Sequence, residues 1–175
     1  MANELRFVDG DLLFDDGNLA MSEDCCCDER YPCQTGFCDA DLPGTVDLTL
    51  AGISTPAGGC ASCAATFNTT HTLPLFSFGT SCIWRLTGTI SCGAFTRSWI
   101  IQVDFENQSG NATLHASLFI ADPLGNAVVN WNKILGASGG SYNCVGTHAM
   151  AHTSLFGGGT CEALGPVPDA TLVIT

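Results

Sequence analysis

From Thr45 onward, apolar and polar residues alternate along the chain. Val46, Leu48 and Leu50 alternate with Asp47, Thr49 and Ala51. Trp99, Ile101, Val103 and Phe105 alternate with Ile100, Gln102 and Asp104. Leu114, Ala116, Leu118 and Ile120 alternate with His115, Ser117 and Phe119, and the chain closes with Leu172 and Ile174 between Thr171, Val173 and Thr175. A period of two sends successive side chains to opposite faces of an extended segment, so each run reads as a strand with one buried face. Further strands are expected over 65–68, 70–76, 81–87, 127–134 and 142–148. Gly, Pro and Asn punctuate them at intervals of roughly 8–12 residues. No window carries a convincing helical period. The pattern predicts an all-β protein, with an antiparallel β-sandwich or jelly-roll body over 41–175.

Two shorter segments precede that body. Phe7-Val8-Asp9-Gly10-Asp11-Leu12 is followed by the similar Phe14-Asp15-Asp16-Gly17-Asn18-Leu19. Asp-Gly between short apolar runs signals a hairpin, because both turn residues tolerate positive φ. Residues 5–21 therefore read as a three-stranded miniature meander, too small to be stable alone. It forms an acidic N-terminal arm over 1–24. Over 25–40 the chain becomes a cysteine-rich loop, in which Cys25, Cys26, Cys27, Cys33 and Cys38 are separated by charges and turn residues.

Composition narrows the function classes. The chain has 175 residues, a net charge of −12, and only 13% charged residues, about half the usual share. So acidic a chain repels phosphate and anionic lipid, which argues against nucleic-acid and membrane partners. Residues 1–47 hold 12 of the 17 acids, leaving the body nearly uncharged. Outer strand faces usually carry Lys and Glu to block edge pairing. Faces of Thr, Ser, Asn and Gln instead suit a surface buried in an assembly, or one kept soluble by polar uncharged groups. Met1-Ala2-Asn3-Glu4 lacks a basic region and Leu12-Leu13-Phe14 is short, so no signal peptide is expected.

The disulfide candidates are Cys25, Cys26, Cys27, Cys33, Cys38, Cys60, Cys63, Cys82, Cys92, Cys144 and Cys161, eleven in all. Spacing does not give their connectivity, and an odd total leaves one sulfur free or paired between chains. The alternative is a metal: Cys25, Cys27, Cys33 and Cys38 could hold zinc, whereas Cys60-x-x-Cys63 lacks the second knuckle of a zinc ribbon. Otherwise no cofactor is expected. Asp9, Asp11, Asp15 and Asp16 match a calcium loop in composition but not in spacing. His148-x-x-x-His152 has two-ligand spacing without the glutamate of a zinc protease. Gly136-Ala137-Ser138-Gly139-Gly140 matches the nucleophile-elbow pattern, but no helix follows it and no histidine lies beyond His152. No catalytic residue is assigned.

Gly17-Asn18-Leu19-Ala20 leading into Cys25-Cys26-Cys27, Val46-Asp47-Leu48-Thr49-Leu50-Ala51-Gly52, Cys60-x-x-Cys63 with Asn68, Cys82-x-Trp84 and the alternating last strand together carry a resemblance to a loose group of proteins. Over residues 15–92 and the C-terminus, the chain resembles cysteine-rich β proteins of tailed phages and environmental bacteria. The resemblance implies a β-rich particle or cell-surface protein, and carries no catalytic residues with it. The expectation is a non-enzymatic structural protein of a phage virion, in decoration, tail, baseplate or fibre. It would assemble as a homo-oligomer with itself and other virion subunits, stabilised by disulfides, and would be extracellular after lysis. The alternative is an extracellular carbohydrate- or ligand-binding module with Trp84, Trp99 and Trp131 as a stacking platform; a second is a cysteine-ligated metal-binding protein.

Overall fold

The computed structural model describes residues 6–8, 11–15, 18–19, 36–53, 66–77, 82–92, 95–121, 127–156 and 168–175. Two compact units divide the chain, 1–31 and 32–175, so the boundary falls inside the cysteine-rich loop. The first unit carries a three-stranded antiparallel sheet of β1 (Arg6–Val8), β2 (Asp11–Asp15) and β3 (Asn18–Leu19). Val8 pairs with Asp11 and Asp15 with Asn18, so each Asp-Gly dipeptide falls between paired residues, as the repeat predicts.

The second unit is all-β. Its strands are β4 (Thr45–Thr49), β5 (Thr70–Ser77), β6 (Ile83–Cys92), β7 (Phe95–Gln108), β8 (Asn111–Ile120), β9 (Ala127–Ala137), β10 (Gly146–Phe156) and β11 (Ala170–Ile174). Each pairs antiparallel with its neighbours in sequence, and β11 returns to β4, closing an eight-stranded up-and-down barrel. The expected body was a sandwich or jelly roll. The difference lies in β5 and β10. Thr70–Pro74 pairs with β4, whereas Leu75 and Ser77 pair with β6 across an irregularity in register. Gly146–Met150 pairs with β11, whereas Ala151–Phe156 pairs with β9 across another. Bulges let these two strands turn the corners between what would otherwise be two stacked sheets. Alternation along a strand is the same in either architecture, so it does not distinguish them.

The alternating apolar residues fill the barrel. Leu48, Leu73, Trp84, Ile101, Val103, Leu114, Leu118, Val129, Trp131, Met150 and Leu172 have no accessible surface. An eight-stranded barrel has an interior just wide enough for side chains to fill. Apolar inside and polar outside is the reverse of a barrel that faces lipid. Two indoles also tie the interior to incoming loops: Trp84 Nε1 donates to Pro43 O at 3.0 Å, and Trp131 Nε1 to Pro168 O at 2.9 Å. Pro43 precedes β4 and Pro168 precedes the antiparallel β11, so the two anchors sit at opposite ends of that strand pair. Trp99 fits by a different device. It lies opposite Gly88, and a Cβ at Gly88 would come within 2.5 Å of its Cζ2.

Two segments expected as strands are not regular strand. Thr66 and Phe67 form a short helical turn. The Asn68 side chain bonds both the N–H and the C=O of Ile53, folding the chain so that Phe67 plugs the core edge-on to Trp99, with ring centroids 5.7 Å apart. Strand β10 begins at Gly146 and not at 142, because Cys144 is held by a disulfide to Cys38. Around this bond, Asp39 N–H donates to Tyr142 O and Tyr142 N–H to Phe37 O. Since β4 and β10 both run antiparallel to β11, the disulfide ties together the segments that enter two parallel barrel strands at one end.

Two consequences are measurable. Gly88→Ala should lower the unfolding free energy by about 1–3 kcal/mol through overpacking, and Trp99→Leu in the same chain should recover part of that loss, read by denaturant unfolding. The Cys38–Cys144 bond spans 106 residues of sequence. Replacing both cysteines with serine should cost about 2–4 kcal/mol while leaving the far-ultraviolet dichroism of a β protein.

Candidate functional site

Burial first relocates the residues that the sequence singles out. Trp84 and Trp131 are wholly buried, and Trp99 keeps 9% of its surface. The indoles face inward, so they form no stacking platform: on each strand they fall in phase with the core residues and not with the wall. Cys38 is bonded to Cys144 and is thereby withdrawn from the alternative zinc set. Cys82 is also disulfide-bonded. Cys25, Cys26, Cys27, Cys33, Cys60, Cys63 and Cys161, and the side chain of Cys92, lie outside the described residues, as do the side chains of Asp9, Asp11, Asp15 and Asp16.

His148 and His152 do not converge on a shared ligand. His148 Nε2 bonds to Cys144 O at 2.8 Å, while the His152 ring packs edge-on to Trp131 with its Nε2 buried. The Gly-x-Ser-x-Gly run is a turn that seats an aromatic ring. Tyr142 donates its O–H to Ala137 O at 2.7 Å, and its ring occupies the space that a Cβ at Gly136 or Gly140 would need. Ser138 has no histidine partner there, so the pattern serves packing.

Polar chemistry gathers instead on the outer wall, across β6, β7, β8 and β9. Arg85 lies opposite Gln102, and Asp104 lies opposite His115. Gln102, Asp104 and Glu106 alternate with core residues and so share the outer face of β7. From Arg85, Nε and Nη2 donate to Gln102 Oε1 at 3.1 and 2.6 Å, and Gln102 Nε2 donates to Asp104 Oδ2 at 2.6 Å. The guanidinium also lies 4.2 Å from the centre of the exposed Phe76 ring. His115 Nδ1 is 3.1 Å from Asp104 Oδ1 and 3.6 Å from Glu106 Oε1. Its Nε2 faces Asn130 Oδ1 at 3.3 Å. The ladder thus runs Phe76, Arg85, Gln102, Asp104, His115, Asn130, with Glu106 beside it.

His115 and Asp104 are mostly covered, keeping 17% and 14% of their side-chain surface, whereas Glu106 keeps 43%. Burial alone would lower the His115 pKa. The hydrogen bond and charge of Asp104, the charge of Glu106 and the bond to Asn130 outweigh it, so the pKa rises above 6.5. Asp104, Glu106 and His115 each offer one ligand atom, all within 4.8 Å of one another, and form the metal-capable group found among the described residues.

Alternation alone puts Asp104 and His115 on outer faces without pairing them. The signal that pairs them is Ser109-Gly110. Both residues have positive φ, 53° and 80°, as a two-residue hairpin turn of type I′ requires. That turn pairs Gln108 with Asn111, and counting back along both strands brings Asp104 opposite His115.

These features define a closed, solid-cored antiparallel β-barrel with a polar cluster on its outer wall. No family model, curated protein or solved structure matches the chain.

The raised pKa makes a signed prediction. In metal-free protein the imidazolium is favoured by the fold, so its stabilising contribution is complete below pH 6.5 and is lost as pH rises through the folded-state pKa. Ring-proton NMR should show His115 titrating above 6.5, and Asp104→Asn should move the midpoint down.

Proposed function

We propose that this chain is a non-enzymatic structural protein that assembles with copies of itself and other subunits through the outer wall of its barrel, as a decoration, tail, baseplate or fibre component of a phage virion. One observation carries the reading. The barrel interior is filled by its own side chains, including the three indoles that would otherwise serve a ligand, so among the described residues the wall offers the surface for function. Outward positions on that wall are largely Thr, Ser, Asn and Gln, among them Thr49, Thr72, Thr87, Thr89, Ser117 and Asn130. Such groups are cheaper to bury against a partner than Lys and Glu would be, because charge depletion marks the core of protein interfaces.

Closure of the barrel shapes how assembly proceeds. Every barrel strand has a neighbour on both sides, so no strand is an edge along its whole length that copies could extend. Contact is then face to face, with the N-terminal sheet as a second element available for docking. The Cys38–Cys144 bond fits a particle that works outside a reducing cytosol. The phage setting itself rests on the resemblance of residues 15–92 and the last strand to cysteine-rich β proteins of tailed phages and environmental bacteria.

Sedimentation of the oxidised full chain tests this. Species larger than the 18.2 kDa monomer should appear and grow with concentration. Thr87→Lys with Thr89→Lys should weaken them without lowering the melting temperature, because both residues are exposed on the wall. A chain that stays monomeric at every concentration overturns self-assembly.

A further inference from the structure

We propose that Asp104, Glu106 and His115 form a binding site for a divalent transition metal ion, best suited to Zn²⁺, on the outer wall of the barrel. The inference stands on local geometry and is independent of the assembly reading.

The donor set comes first. One imidazole with two carboxylates suits a borderline ion such as Zn²⁺, whereas Mg²⁺ and Ca²⁺ favour oxygen alone. Two carboxylates also balance the charge of a divalent ion. The spacing comes second. Zinc bonds of about 2.0–2.1 Å in a tetrahedral site place neighbouring donors about 3.3 Å apart. The measured separations from His115 Nδ1, 3.1 Å to Asp104 Oδ1 and 3.6 Å to Glu106 Oε1, lie on either side of that value.

The strongest support is what holds the donors. Metal-ligating histidines characteristically donate the other ring N–H to an oxygen, which fixes the tautomer. His115 has that arrangement: Nε2–H donates to Asn130 Oδ1, which directs the Nδ1 lone pair toward the two carboxylates. Asp104 is held in the same way. Gln102 Nε2 occupies Oδ2, Arg85 fixes Gln102 with two bonds, and Oδ1 is left facing the site. Both ligands therefore have their non-ligating atom engaged on a rigid strand pair. In metal-free protein a proton on Nδ1 takes the position of the ion. Glu106 marks the solvent side, so a fourth position is open to water.

Calorimetric titration of the oxidised full chain with Zn²⁺ should show one site per chain. Because the chain has eleven cysteines, Co²⁺ serves as the second probe. The expected spectrum has weak visible bands and no thiolate-to-metal charge transfer. His115→Gln should abolish binding. Asn130→Ala should weaken it about 10- to 100-fold, with far-ultraviolet dichroism showing both variants folded in the absence of metal. If His115→Gln does not fold, the half-exposed Glu106→Gln replaces it, with loss of binding again expected. The proposal is overturned if the wild type binds no Zn²⁺, if Co²⁺ shows thiolate coordination, or if removing a ligand leaves the affinity unchanged. Sedimentation in parallel separates this result from self-association, since a monomer that binds zinc sinks only the assembly reading.

Discussion

The structure depends on two strands that each serve two neighbours. β5 and β10 divide their length between different partners, and each has a break in register just past the change of partner. Remove those corners and the same eight strands would form two open sheets, with four edges exposed to other chains. With them, the ladder closes and every barrel strand has a hydrogen-bonded neighbour on each side over part of its length. Closure also fixes the width of the interior, and this is what makes large aromatic side chains fit. Trp84, Trp99, Trp131 and Phe67 fill that space, and Gly88 supplies the room that Trp99 takes.

The barrel's ends are secured by chemistry that a sheet cannot supply. At one end the Cys38–Cys144 bond and the backbone hydrogen bonds flanking it hold the entries to β4 and β10. Trp84 and Trp131 reach loop carbonyls at opposite ends of the β4–β11 pair, so the N–H of these two indoles is satisfied while it pins an incoming loop. A buried N–H without a partner would cost on the order of 1–3 kcal/mol, so these bonds matter for the choice of rotamer as well as for the loops.

Most of the strands were legible because alternation is local. The β7 and β8 segments follow the pattern of Trp99–Phe105 and Leu114–Ile120 closely, and the N-terminal meander follows its Asp-Gly pairs. Closure was not legible. It arises from register irregularities at Leu75/Ser77 and His152/Ser154, which leave the alternation of neighbouring residues intact. The helical turn at Phe67 was hidden for a similar reason: Asn68 acts on Ile53, fifteen residues earlier. The wall cluster was legible only in halves. Outer-face positions gave Gln102, Asp104 and His115, while pairing them required reading Ser109-Gly110 as a tight turn. Asn130 needed the register of β8 with β9, which a long connection does not set.

The wall cluster gains weight from how little charge surrounds it. Residues 48–175 contain five acids and three bases. Two of those acids, Asp104 and Glu106, stand two residues apart on one face of β7, and Arg85 reaches Asp104 through Gln102. A wall selected only to avoid charge would scatter its few ionic groups or lose them. Concentrating two carboxylates beside an imidazole raises their mutual repulsion unless something positive sits between them. Protonated His115 meets that need in metal-free protein, which is why its pKa is raised against the effect of burial. A divalent ion meets it more fully, because it balances both carboxylates and uses the Nδ1 lone pair that Asn130 has already oriented.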